Sequence, residues 1–314
     1  MAGKLYCFDK LLHKSCATDK LQVNVMSETR EDYLPGCGCK IYQDPAEFTF
    51  TTDSVFLAHF PHLANKAKAL ELGCGTGAIS FYLAARGAAE VTGLDVNPRM
   101  VELFNRSAEA NGIFWPDEAR SAFLQREELT ETGCAACTER AQGTSPTGKE
   151  KSACHETAAG KTSLPDKPKV RALQWDIKDI KTFCKTETYD LVAANPPYRN
   201  SGHERIVGTG ACHEKTAVLE DFFAAAAYAL HSRGRFALVQ LPERFMESME
   251  LAIQYNLQPK KLQWVHASVD KPAWIFLLEM VKNGSYGLEV LPPLIMYNAD
   301  GSLTEQAKKQ MEKG

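Results

Sequence analysis

Asn195-Pro196-Pro197-Tyr198 combines residue types that suit one kind of chemistry. A carboxamide is followed by two prolines and an aromatic ring. The lone pair of an exocyclic amine on a base is delocalised into its ring, so the nitrogen is a poor nucleophile. An acceptor on each of its two N–H groups draws those protons out and concentrates the lone pair on nitrogen. The Asn195 side-chain oxygen and the Pro196 carbonyl are candidate acceptors. Proline brings a carbonyl with no competing N–H. Tyr198 is a candidate to stack on the base, an interaction worth roughly 1–3 kcal/mol. The chemistry implied is methylation of a planar nitrogen. The same four residues also read as a plain turn, since Asn and Pro are common turn formers.

The elements that must position these groups are legible nearby. Tyr189 to Ala194 is a short apolar run that predicts a buried strand, and the prolines end it. Upstream, Ala69 to Leu72 predicts another strand, leading into Gly73-Cys74-Gly75-Thr76-Gly77 and an apolar helix over Ile79 to Ala85. Glycines there permit a tight turn and close approach of a ligand. Gly73, Gly75 and Ala78 fit the dinucleotide fingerprint, with Asp95 about 20 residues on to hold a ribose. Two features favour S-adenosylmethionine (SAM) over a nicotinamide. Gly77 and Glu71 extend the loop to Glu-x-Gly-x-Gly-x-Gly, and the Asn-Pro-Pro-Tyr strand has no task in hydride transfer.

Asn97 predicts a helix cap with Pro98 at the first position, an apolar face of Met100, Val101, Phe104 and Ala108, and a stop near Asn111-Gly112. Val170 to Ile177 resumes the sheet, and Asp176 at its end is a candidate acceptor for the adenine amine of the cofactor or else a helix cap. Gly234 to Gln240 predicts a fifth strand, Pro242 to Tyr255 a helix, and Leu262 to His266 with Trp274 to Val281 a closing strand pair. Phe48 and Phe50 read as a short strand before a helix capped by Thr52 or Asp53, with Val55, Phe56 and Phe60 on its apolar face. Arg30 to Gly38 reads as a connection and the stretch from Asn283 as peripheral.

Strand–helix alternation ending in two strands implies an α/β fold: a doubly wound, mostly parallel seven-stranded sheet with an antiparallel last strand. We divide the chain into an N-terminal extension (1–32), a main domain (33–284) and a tail (285–314). Residues 113–168 are a flexible insertion in the main domain, poor in large apolar residues between Thr138 and Ser163. It joins a helix to the next strand, so it is expected at the end of the sheet away from ligands.

A net charge of −3 argues against a strongly basic, sequence-blind nucleic-acid binder. The longest apolar run, Phe222 to Leu230, is too short to span a bilayer, and the N-terminus lacks an apolar signal core. The expected location is cytoplasmic. The ten cysteines do not form a disulfide framework. Cys134, Cys137, Cys154 and His155 are poorly spaced for one tetrahedral zinc site, and Cys37-Gly38-Cys39 is likewise weak, so no metal is expected.

The glycine loop with Asn195-Pro196-Pro197-Tyr198 resembles the class I SAM-dependent amino-methyltransferases. Phe48 to Phe60, Cys212-His213-Glu214, and Lys260 to Gly284 with its Val265-His266 and Pro272-Ala273-Trp274 narrow the resemblance. Together they are similar to the bacterial tRNA(Val) adenine-N6 methyltransferase family, over about Tyr33 to Gly284 less the insertion. The resemblance implies SAM as cofactor, tRNA as substrate, and a SAM site of Asp53, Glu71, Gly73, Cys74, Gly75, Gly77, Asp95, Asp176 and Asn195. It assigns the catalytic step to Asn195, Pro196 and Tyr198. The alternatives are a protein glutamine N5-methyltransferase, which uses the same four residues, and a non-catalytic RNA-binding protein that kept the fold.

Overall fold

The computed structural model describes residues 29–47, 49–115, 167–198 and 217–312. The insertion's cysteines and His155, the loop from Arg199, and Cys212-His213-Glu214 lie outside the described residues.

In chain order the elements are β1 (Arg30–Tyr33), β2 (Lys40–Gln43), α1 (Thr52–His59), β3 (Lys68–Leu72), α2 (Ala78–Ala85), β4 (Glu90–Asp95) and α3 (Pro98–Ala110). Then come β5 (Lys169–Gln174), α4 (Ile180–Phe183), β6 (Tyr189–Ala194), α5 (Leu219–Ala229), β7 (Leu230–Gln240), α6 (Phe245–Gln254), β8 (Leu257–His266) and β9 (Ala273–Lys282). The chain closes with β10 (Glu289–Val290), β11 (Leu294–Ile295) and α7 (Glu305–Met311).

The main sheet runs β8-β9-β7-β6-β3-β4-β5, with β10 and β11 each paired to β8. β3, β4, β5, β6 and β7 run parallel to one another, and β9 runs antiparallel to both β7 and β8. The expected seven strands with a reversed last one are therefore present, extended to nine by two short strands at the β8 edge. The chain winds outward from β3 in one direction through β4 and β5, then returns to β6 on the other side. The C-terminal ends of β3 and β6 thus flank a switch point, where such sheets leave a crevice.

Pleat alternation splits the core into two layers. Ala69, Leu191, Ala193, Ala237, Val239 and Leu277 face α1 and α2. Leu70, Leu72, Val192, Ala194, Phe236 and Leu278 face α4, α5 and α6 on the other side. The α3 start matches its sequence: Asn97 Oδ1 accepts from Arg99 N at 2.9 Å, and Pro98 opens the helix. Among the described residues, no helix is long and apolar enough to cross a membrane.

Three readings are corrected. Arg30–Tyr33 is not a connection but pairs antiparallel with β2. That hairpin is held by polar contacts to α3, with Ser107 Oγ accepting from Tyr42 N at 2.9 Å and Asn111 bonding both main-chain groups of Lys40. Thr49 and Phe50 are not in a strand, Phe48 lies outside the described residues, and the cap of α1 is Thr51 rather than Thr52 or Asp53. The stretch after Asn283 is not peripheral throughout: Leu294, Met296 and Ala307 are fully buried in the α1 and α2 layer.

Candidate active site

A cavity of about 480 Å³ lies over the C-terminal ends of β3, β4, β5 and β6. Its wall brings together Glu71, Gly73, Cys74, Gly75, Asp95, Asp176, Asn195, Pro196 and Tyr198 from the sequence-predicted set. Two predicted residues, Asp53 and Gly77, are not on that wall.

The glycine turn explains itself locally. Gly77 has φ of +93°, and a Cβ there would sit 2.4 Å from the Phe104 ring. Its glycine is required by handedness and by the packing of α3, not by contact with the cavity. Gly93 plays a similar part under Cys74, whose Sγ is 2.6 Å from where a Cβ would lie. Burial pushes the Cys74 thiol well up, so it lines the cavity as a neutral group.

The acids each have a defined place. Asp95 ends β4, and its two carboxylate oxygens accept from Gly75 N at 2.8 Å and Asn97 N at 2.9 Å. It therefore shapes the glycine turn as well as lining the cavity; burial raises its pKa, offset by those N–H donors. Glu71 is 2% exposed and faces α2, where Ser80 donates its N–H at 2.9 Å and its hydroxyl at 2.5 Å. Burial pushes the Glu71 carboxyl up to about 8, with the Ser80 donors opposing and Asp95 adding to the rise. Asp176 lies just beyond β5 and accepts from Lys178 N at 3.0 Å. Asp176 caps a short 3-10 turn, one of its two sequence readings, and it also lines the cavity.

Asn195 continues the β6 alternation by one residue, which points it to the α1 side. Its Nδ2 donates to Ser54 Oγ at 3.3 Å. Tyr198 donates its hydroxyl to Asp53 Oδ2 at 2.6 Å. Burial and the Asp53 charge raise the Tyr198 phenol far above its ordinary value, so it stays protonated. Burial raises the Asp53 carboxyl, opposed by the Tyr198 hydroxyl that donates to it.

Sequence reasoning missed Glu47, Ser54, Trp175, Met100 and Phe222 on the wall. Trp175 read as an ordinary strand residue. The alternation that turns Asn195 toward α1 was the available signal for Ser54. The described lining residues carry four carboxylates (Glu47, Glu71, Asp95, Asp176) and no Lys, Arg or His, beside apolar Phe50, Ile79, Met100, Trp175 and Ile177. Among the described lining residues a pyrophosphate would meet no cation, whereas a positively charged ligand is favoured. Among the described residues no His, Cys, Asp and Glu group is placed to hold a metal ion.

Comparison with known proteins agrees with this geometry. Residues 69–129 match a family profile described as a methyltransferase domain. The chain is 35% identical over 77 residues, 24% of its length and 39% of the relative's, to a Methanocaldococcus jannaschii protein assigned as a protein N5-glutamine methyltransferase. It is 53% identical over 65 residues, 20% of its length and 16% of the relative's, to a 23S rRNA (uracil(747)-C(5))-methyltransferase of Pyrococcus horikoshii. These matches span well under two thirds of either relative. In structure, a predicted O-methyltransferase of Agrobacterium tumefaciens superposes with a TM-score of 0.54 at 19% identity, covering 83% of this chain and 97% of that one. A chain with this strand order, whose glycine-turn segment matches a methyltransferase domain, carries the class I SAM-dependent methyltransferase fold.

Proposed function

We propose that this protein transfers a methyl group from SAM to the exocyclic N6 amine of an adenine in tRNA. The observation that carries the reading is that Asn195, with its amide nitrogen held by Ser54, opens onto the same cavity as the glycine turn and the acids.

The residues fit the cofactor. Asp95 keeps a second lone pair on each oxygen for a ribose diol. Asp176 stands where an adenine amine can be accepted, and Trp175 and Ile177 supply apolar surface for its ring. Asp95 places negative charge beside the glycine turn, and Glu71 can add a second when it gives up its proton, which suits a cation. When bound, SAM supplies an activated methyl on a positively charged sulfur.

On the acceptor side, the Asn195 oxygen and the Pro196 carbonyl accept hydrogen bonds from the two amine N–H groups, and Tyr198 offers its ring face. Held that way, the target nitrogen would keep its lone pair toward the activated methyl that SAM would supply, and its surplus proton would leave to water. Tyr198 is not a base, because its hydroxyl is held protonated on Asp53. Orientation in the cavity supplies the acceleration. The adenine must be unstacked to reach the pocket, which favours a loop base over a paired one.

The tRNA reading is supported by where its sequence hallmarks fall. The Phe48–Phe60 segment supplies Asp53 and Ser54, which bond Tyr198 and Asn195 of the Asn-Pro-Pro-Tyr turn. A protein glutamine amide is the second reading, because it is also a planar nitrogen and because of the M. jannaschii relative. Labelled SAM incubated with total tRNA and, separately, total protein separates the two by mass spectrometry of the labelled product. N6-methyladenosine in tRNA is expected; label confined to protein glutamine overturns the RNA reading.

A further inference from the structure

An amine held at its edge by a carboxamide and stacked on a ring needs both groups to stand still. β6 ends at Ala194, so strand pairing fixes neither Asn195 nor Tyr198. Pro196 and Pro197 stiffen the chain between them by fixing φ, but both side chains keep their own rotamers. What fixes them must come from outside the turn.

The first turn of α1 reaches both. Asp53 and Ser54 are consecutive and buried, 9% and 5% exposed. Consecutive helix residues diverge by about 100°, so the two address different partners. Asp53 Oδ2 accepts from the Tyr198 hydroxyl at 2.6 Å, the length of a hydroxyl donating to a carboxylate. Ser54 Oγ accepts from Asn195 Nδ2 at 3.3 Å, a longer and weaker bond. Each bond takes a group that the proposed chemistry leaves spare. The amide nitrogen and the hydroxyl are tied, and the amide oxygen and the ring face are not used.

The helix carrying this pair is itself fixed at its far end. Arg86 bonds the carbonyls of Ala58 and Pro61, and Lys261 bonds that of Phe60 at 3.0 Å. Glu279, 1% exposed, accepts from His62 N at 2.7 Å and pairs with Lys261 at 3.4 Å and with Arg235. With α1 held this way, its first turn is a firm base for the Asn-Pro-Pro-Tyr turn.

We propose that the first turn of α1 braces the acceptor side of the cavity, with Asp53 as the positioning residue for the Tyr198 ring and Ser54 as that for the Asn195 carboxamide. Together they set the gap in which a flat, amine-bearing group lies, its edge on the carboxamide and its face on the ring. This rests on the methyl-transfer reading above.

The test reads the maximal rate of methyl transfer from labelled SAM to total tRNA, or to total protein where the label goes there. Tyr198→Phe keeps the ring and loses the hydroxyl, and Asp53→Ala removes its acceptor. Each is expected to lower the rate about 10-fold, the factor made by one ordinary hydrogen bond. Combined, they are expected to lose no more than about twofold beyond either alone, because both cut the same bond. Asp53→Asn still offers an acceptor and is expected to recover most of the rate. Ser54→Ala cuts the other, longer bond and is expected to cost about 3-fold, a loss that multiplies with that of Tyr198→Phe. In the Asp53 and Tyr198 variants, SAM affinity and the half-saturating acceptor concentration are expected to stay within about twofold, since the ring is kept and Asp53 is off the cavity wall. Losses that multiply between Asp53→Ala and Tyr198→Phe, an unchanged rate in either, or a loss of SAM affinity overturns the proposal.

A second readout needs no substrate. The Tyr198 hydroxyl proton, assigned by its absence in Tyr198→Phe, is expected as a slowly exchanging, downfield proton resonance in the native protein, lost in Asp53→Ala. Its absence from the native protein overturns the proposal whatever the acceptor is. A proton present in a protein that methylates neither tRNA nor protein would instead remove the methyl-transfer reading.

Discussion

Glu71 makes the energetics of the cavity measurable without any substrate. Its carboxyl is buried among β3, α2 and the glycine turn, and burial lifts its pKa from 4.5 to about 8. The folded protein therefore keeps a proton that the unfolded chain has already lost above pH 4.5. Stability present at low pH is lost as pH rises from about 4.5 to about 8, and the loss then levels off. At about 1.4 kcal/mol per pH unit, the full rise corresponds to about 5 kcal/mol. Glu71→Gln is the isosteric neutral reference and has no such dependence. The assay is urea unfolding of both proteins from pH 5 to pH 9, read as the difference in free energy so that other titrating groups cancel. The expected difference is near zero at pH 5 and moves in favour of the Gln variant by several kcal/mol at pH 8. A difference that does not change with pH would refute the assignment of a buried, protonated Glu71. The same proton should be released when SAM binds at pH 7, because a nearby positive charge favours the carboxylate. Binding heats in two buffers of different ionisation enthalpy read that release.

Other outcomes follow from single contacts. Gly77→Ala forces a side chain into a φ of +93° and against Phe104, and should cost about 2–5 kcal/mol of stability, measured by denaturant unfolding. Replacing residues 116–166 with a short Gly-Ser linker should leave fold and transfer rate intact. Trp115 N donates to Val170 O at 3.1 Å, so the flanking strands already meet, and they do so near the start of β5, away from the cavity. A folded linker variant with no activity would show that the segment reaches the site.

The parts of this fold that were legible in sequence are those decided locally. Asn97-Pro98 specifies a helix start through a cap whose geometry needs only adjacent residues. Glu71, the glycines, Asp95 and Asn195 were legible because strand tips and glycine turns carry residue types that little else requires. Tertiary packing decided what was not legible. β1 has no apolar alternation, and its hairpin depends on Ser107 and Asn111 of a distant helix. Leu294 and Met296 lie in a run of only four apolar residues after two prolines and become core only against β8 and α1. The bond from the Tyr198 hydroxyl to Asp53 was likewise not legible in the chain. No spacing in the chain brings together two residues 145 positions apart.

The most direct test of the account is a single-turnover transfer rate for Asn195→Ala beside its SAM dissociation constant. A carboxamide and a main-chain oxygen that jointly hold the accepting nitrogen predict a rate reduced about 100-fold or more, with SAM affinity nearly unchanged. A variant that still transfers methyl at close to the native rate would contradict the role given to Asn195, and with it the proposed chemistry of the site.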